Sequence, residues 1–97
     1  MNFFFRTNFN EKVGLGHLFR SLRLIRYFKT QHHSCYLFID LLKKKFHFLK
    51  NINVIPIYKK KLHFFDQKRD MVQFMKATKN FKKGIVIIDD YRIGVDW

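Results

Sequence analysis

Apolar residues gather in four short runs along the chain, and the stretches between them follow a different period. The runs are Phe3-Phe4-Phe5, Cys35-Tyr36-Leu37-Phe38-Ile39, Asn53-Val54-Ile55-Pro56-Ile57 and Ile85-Val86-Ile87-Ile88. None alternates polar with apolar, as expected of strands covered on both faces. Pro56 lacks a ladder donor, so the third run belongs at a sheet edge or stops early.

From His17 to about Gln31 the spacing changes to three and four. Leu18, Leu22, Ile25 and Phe28 fall on one helical face, with Arg20, Arg23, Arg26 and Lys29 on a neighbouring stripe. Leu41 to Lys50 predicts a short basic helix. Asp66 suits the cap of another helix running to about Phe81, with Met71, Val72, Met75 and Thr78 inward and Gly84 as its terminal glycine. Tyr58 to Phe65 is basic and aromatic and fits no element.

Four strands alternating with three helical segments predict parallel pairing, because each crossover carries a helix. The expected fold is α/β, a Rossmann-like open parallel sheet of about four strands with flanking helices. Residues 1–97 form a single lobe with no internal repeat, linker or second domain, and the sheet reads as cut short after Tyr91.

Composition changes this picture in two ways. Twenty Lys and Arg against seven Asp and Glu give a net charge of +13, which favours polyanionic partners. Heavy use of Lys, Phe, Ile and Asn beside a single alanine, Ala77, is equally the mark of A/T-rich codons. The lone cysteine, Cys35, excludes an internal disulfide and suits a reducing compartment. The Phe run near the start is too short for a signal peptide, and no apolar stretch approaches a membrane span. The expectation is a cytoplasmic protein without a membrane span.

In an open parallel sheet, ligands bind beyond the carboxyl ends of the strands. Two turns carry distinctive residues there: Arg6 to Arg20 and Asp89 to Tyr91. Gly14 and Gly16 allow a sharp bend or close backbone approach, and a helix starting near His17 aims its free amides at the space above. Phe19 stands where a dinucleotide fingerprint needs a third glycine, and no Gly-Lys-Ser/Thr is present, so neither common phosphate loop applies.

At a helix amino terminus the dipole favours neutral imidazole, which makes His17 a candidate general base; the same position also suits capping or packing. Arg20, one turn in, is placed for a phosphate or carboxylate, or for water. Asp89 and Asp90 could hold a histidine, bind a sugar hydroxyl or cap a following helix. His32, His33 and Cys35 do not complete a four-ligand zinc set, and no metal or cofactor is expected.

The stretch Phe5-Arg6-Thr7-Asn8 … Val13-Gly14-Leu15-Gly16-His17-Leu18-Phe19-Arg20-Ser21-Leu22 resembles the amino-terminal signature of the UDP-2,4-diacetamido-2,4,6-trideoxy-altropyranose hydrolases of pseudaminic acid synthesis. That signature runs Phe-Arg-x-Asp, a spacer, then Gly-x-Gly-His-x-x-Arg-x-Leu. Ile87-Ile88-Asp89-Asp90-Tyr91 … Trp97 is similar to the family's second landmark, a strand leading into Asp-x-Tyr and then Trp. Phe46 to Lys83 carries little resemblance.

The resemblance implies one amino-terminal lobe of the two-lobed glycosyltransferase-B-like architecture, with the carboxyl-terminal nucleotide-binding lobe absent. It implies a nucleotide-sugar hydrolase acting on a UDP-linked amino sugar and releasing UDP, weak or inactive without a separate carboxyl-terminal lobe. His17 would be catalytic, with Arg6, Gly14, Gly16, Arg20, Asp89 and Tyr91 at the substrate. Three positions depart from the pattern: Asn8 replaces Asp, and Arg92 and Gly94 replace the usual Gly and Asp after the tyrosine.

Two other readings stand beside it. One is a small basic nucleic-acid-binding or interaction module using Lys43 to Lys45 and Lys59 to Lys61 with Phe46, Phe48 and Phe64. The other is a nonfunctional remnant.

Overall fold

The Phe-rich first run forms the middle of the sheet. In a computed structural model that describes residues 1–8, 16–41, 47–90, 92–94 and 97, β1 (Asn2–Thr7) pairs in parallel with β2 (Ser34–Ile39) on one side and β4 (Gly84–Asp89) on the other. β3 (Val54–Pro56) adds outside β2, giving the order β3-β2-β1-β4. The result is an all-parallel, Rossmann-like sheet. Pro56 is the last residue of an edge strand only three residues long, where a missing donor costs no ladder bond.

Helix α1 (Gly16–Thr30) connects β1 to β2, and α2 (Gln67–Thr78) connects β3 to β4. They cover opposite faces, and alternation along the strands divides the core accordingly. Phe3, Phe5, Leu37 and Ile39 pack with Leu18, Leu22 and Ile25 of α1. Phe4, Phe38 and Ile57 pack with Phe74 of α2. Phe28 lies flat on Phe3, with ring centroids 4.3 Å apart, and closes the foot of the α1 layer. The basic stripe of α1 faces water at every position from Arg20 to Lys29.

The Leu41–Lys50 segment differs from expectation. Its described part holds one short 3-10 turn, η1 (His47–Leu49), while residues 42–46 lie outside the described residues. Asp66 caps α2 as predicted, accepting from the Lys68 amide at 3.1 Å.

The buried face of α2 differs in part from the one expected, with Met71 and Thr78 half-buried. Asp70 and Phe74 point inward, whereas Val72 is 43% and Met75 59% exposed. The inner row is built around a carboxylate, so hydrophobicity alone misses part of this face.

Gly84 also has a different role from the one predicted. It opens β4 and does not end α2. A methyl group there would stand 2.6 Å from the Asn2 carbonyl oxygen and 2.7 Å from the Phe4 ring. A methyl group at Gly16 would meet nothing within 4 Å among the described residues. Gly84→Ala should therefore cost about 1–3 kcal/mol by overpacking the β1–β4 ladder. Gly16→Ala should be neutral or stabilising by up to about 1 kcal/mol, since alanine favours helix. Urea unfolding of the two variants checks the contrast, and equal effects would refute the close-approach explanation.

Candidate active site at the carboxyl ends of the strands

Strand order reverses between β1 and β4: the chain moves outward through β2 and β3, then returns to the other side of β1. The crevice at such a switch point is where open α/β sheets place their ligands. Thr7 and Asp89 are register partners at the tops of these two strands, and the Thr7 hydroxyl donates to the Asp89 carbonyl at 2.8 Å. That bond fixes the end of β4. The Asp89 side chain then faces the start of α1.

His17, in the first turn of α1, meets it. The His17 Nδ1 lies 2.5 Å from Asp89 Oδ1. Arg20, one turn on, grips the same carboxylate from the other side, donating from Nε to Oδ2 at 2.6 Å and from Nη2 to Oδ1 at 2.7 Å. Arg20 Nη2 also lies 2.9 Å from His17 Nδ1. One ring nitrogen cannot donate to Asp89 and accept from Arg20 together. The charge-assisted bond to the carboxylate is the stronger, so the Nδ1 proton points at Asp89 and the lone pair falls on Nε2. The hydrogen bond from Arg20 holds the Asp89 carboxyl below its ordinary value of 3.8, reinforced by His17 against the opposing effect of burial.

An imidazole held through Nδ1 by a braced carboxylate can take a proton at Nε2 while the carboxylate stabilises the resulting cation. The His17 side chain is one-third exposed (33%). Hollows of about 520 Å³, around Phe64, Phe65 and Arg92, and about 190 Å³, around Lys29, Cys35 and Asn53, lie elsewhere and do not include it.

Arg6 departs from its predicted place at the substrate. It follows Phe5 and precedes Thr7 on β1, so its side chain leaves the opposite face of the sheet, under α2. There it is 0% exposed and donates to Asp70 at 2.7 and 3.0 Å, to Asp40 at 2.5 Å, and to the carbonyls of Thr7 and Phe38. All its directions of donation are inward. Arg6 holds the lobe together from that position.

The same cluster draws in Tyr58, which the sequence did not single out, and Trp97, which it did only as part of a resemblance. The Tyr58 hydroxyl donates to Asp70 at 2.6 Å, and Trp97 Nε1 donates to it at 2.8 Å. Arg92 bridges Asp40 and Asp90 with bonds of 2.6 to 2.9 Å and lies 4.0 Å over the Phe65 ring. Burial tends to raise the Asp70 carboxyl, but Arg6, Tyr58 and Trp97 outweigh it and hold the group below its ordinary value. One signal for this cluster was present in the sequence. Of seven acidic residues in a chain of charge +13, Asp40, Asp89 and Asp90 stand at strand ends.

Gly16 begins α1, and among the described residues nothing lies within 4 Å of a methyl group placed there. Gly14 and Tyr91 lie outside the described residues. His33 packs edge-on to Phe3, Cys35 is buried, and no group of three metal-ligating side chains occurs among the described residues. Of the aromatics proposed for nucleic acid, Phe48 leans on Phe19, Phe64 is exposed, and Phe46 with Lys43 to Lys45 lies outside the described residues. Among the described residues no helix is long and apolar enough to cross a membrane. No protein-family model, no curated protein and no solved structure matches the chain.

Proposed function

We propose that this lobe carries the general base of a nucleotide-sugar hydrolase, as the amino-terminal half of an enzyme resembling the UDP-2,4-diacetamido-2,4,6-trideoxy-altropyranose hydrolases. The observation that carries the reading is the Asp89-braced His17 at the switch point between β1 and β4. His17 Nε2 takes a proton from water as the oxygen attacks the anomeric carbon, and UDP leaves with the electrons of the C1–O bond. Asp89 keeps the imidazole in the accepting tautomer, and Arg20 keeps Asp89 in place.

A single lobe cannot exclude bulk water or enclose a nucleotide. Uridine and phosphate contacts therefore come from a second lobe, supplied in cis or by another chain, and the lobe alone turns substrate over slowly or not at all. Joining it to a matching carboxyl-terminal lobe and measuring UDP release tests the proposal. Hydrolysis of UDP-linked diamino sugar is expected, with Asp89→Asn slower by about ten- to a hundred-fold through loss of ring orientation. No release from a folded two-lobed protein that binds UDP would overturn the reading.

A further inference from the structure

The two edges of the sheet differ in kind. β3 is three residues long and ends in Pro56, which blunts pairing. β4 runs six residues in unbroken register against β1, contains no proline, and has no charge before Asp89. Among the described residues its other edge is the boundary of the sheet. Ile85, Val86 and Ile88 are 46%, 42% and 42% exposed, on both faces of that edge. A long, flat, apolar edge is a template for another strand.

The geometry points to a second copy of this chain on the β4 edge, paired antiparallel about a two-fold axis through Val86. Such an axis, normal to the sheet, keeps each side chain on its own face, so a residue opposes only residues of its own parity. Few registers satisfy this. With the axis at Val86, Ile85 opposes the partner's Ile87, and Gly84 opposes the partner's Ile88. Lys83, just before β4, opposes the partner's Asp89, while Asp90 is buried against Arg92 and takes no part. With the axis at Ile87, Ile85 faces the partner's Asp89. With the axis at Ile85, Lys83 faces the partner's Ile87. The Val86 register joins apolar to apolar within β4 and sets one cation against one anion at each end, and cross-strand pairs of both kinds stabilise a ladder.

This inference goes beyond the hydrolase reading and does not depend on it, yet it touches the same site. Lys83 directly precedes β4, so the pairing brings an ammonium of each copy to the end of the other's β4, beside its His17–Asp89 pair. A carboxylate offers about four lone-pair directions. Arg20 takes two and His17 one at Asp89.

Sedimentation equilibrium of the full chain over about a hundred-fold range of concentration should show a closed monomer–dimer equilibrium. Val86→Lys sets like charges face to face and should weaken the dimer at least about ten-fold, with the circular dichroism spectrum of the lobe retained. Cys35 is buried, so an introduced thiol reports alone. Opposed Cα atoms about 4.5–5.5 Å apart lie within disulfide reach. Val86→Cys should cross-link to its own copy under mild oxidation, and Ile87→Cys should not. A monomer at every concentration, open-ended polymers, or linking at Ile87 in preference to Val86 would each overturn the proposal.

Discussion

Replacing Arg6 with leucine is expected to remove about 3–5 kcal/mol of stability, the cost of leaving a buried carboxylate without its counter-charge. A domain of this size has only about 5–15 kcal/mol in total. Asp70 is 0% exposed and takes two of its hydrogen bonds from Arg6. Without the guanidinium, Asp70 must either bury an unpaired charge or take up a proton. Asp70→Leu should cost less, because Arg6 keeps its ion pair with Asp40 and its bonds to the Thr7 and Phe38 carbonyls.

The double variant Arg6→Leu/Asp70→Leu should be less damaged than the sum of the two, with a coupling of about 1–3 kcal/mol. Tyr58 and Trp97 lose an acceptor in it, but both are only partly buried and can turn to water. Acid gives a second readout. The carboxyl of Asp70 is held below its ordinary value of 3.8, so its stabilisation is complete above that value and is lost as pH falls through the lower folded one. The wild-type chain should lose stability over that window more steeply than the double variant. Single substitutions costing under about 1 kcal/mol in urea titrations would show the cluster to be incidental.

Removing the imidazole is the second large effect. His17→Ala in the assembled two-lobed enzyme should slow UDP release by about a hundred- to ten-thousand-fold, or about 3–5 kcal/mol in the barrier. The loss should fall on kcat, because the proton moves only as water attacks. The lobe should stay folded, since the ring is one-third exposed and Asp89 retains both bonds from Arg20. Unchanged turnover would remove His17 from the chemistry.

Much of the architecture was legible because each apolar run has one period. Leu18, Leu22 and Ile25 announce both a helix and its inner face, and the even hydrophobicity of the strands announces a covered parallel sheet. The placement of His17 and Asp89 at strand ends follows from that order. Their distance does not, because it depends on which strand lies beside β1.

Arg6 shows why the remainder was hidden. A strand sends neighbouring residues to opposite faces, so a motif read as one linear signature, Arg6 to Arg20, is divided by the sheet it passes through. The α2 face was only partly legible for a related reason: Asp70 looks like a surface residue until Arg6 is known to lie beneath it. Trp97 entered the sequence reading only through a resemblance, and its donation to Asp70 gives that position a physical role in the lobe.

The outer stripe of α1 has one last consequence. Arg20, Arg23, Arg26 and Lys29 follow one another at every third position, and the helix contains no acidic residue to intervene. Cations spaced in this way repel along the helix surface, so as a free peptide the segment would stay uncoiled, and only its seat on Phe3 and Phe5 winds it up. Dissolved salt, which weakens proteins held by surface ion pairs, would here quiet the repulsion and tighten the whole lobe.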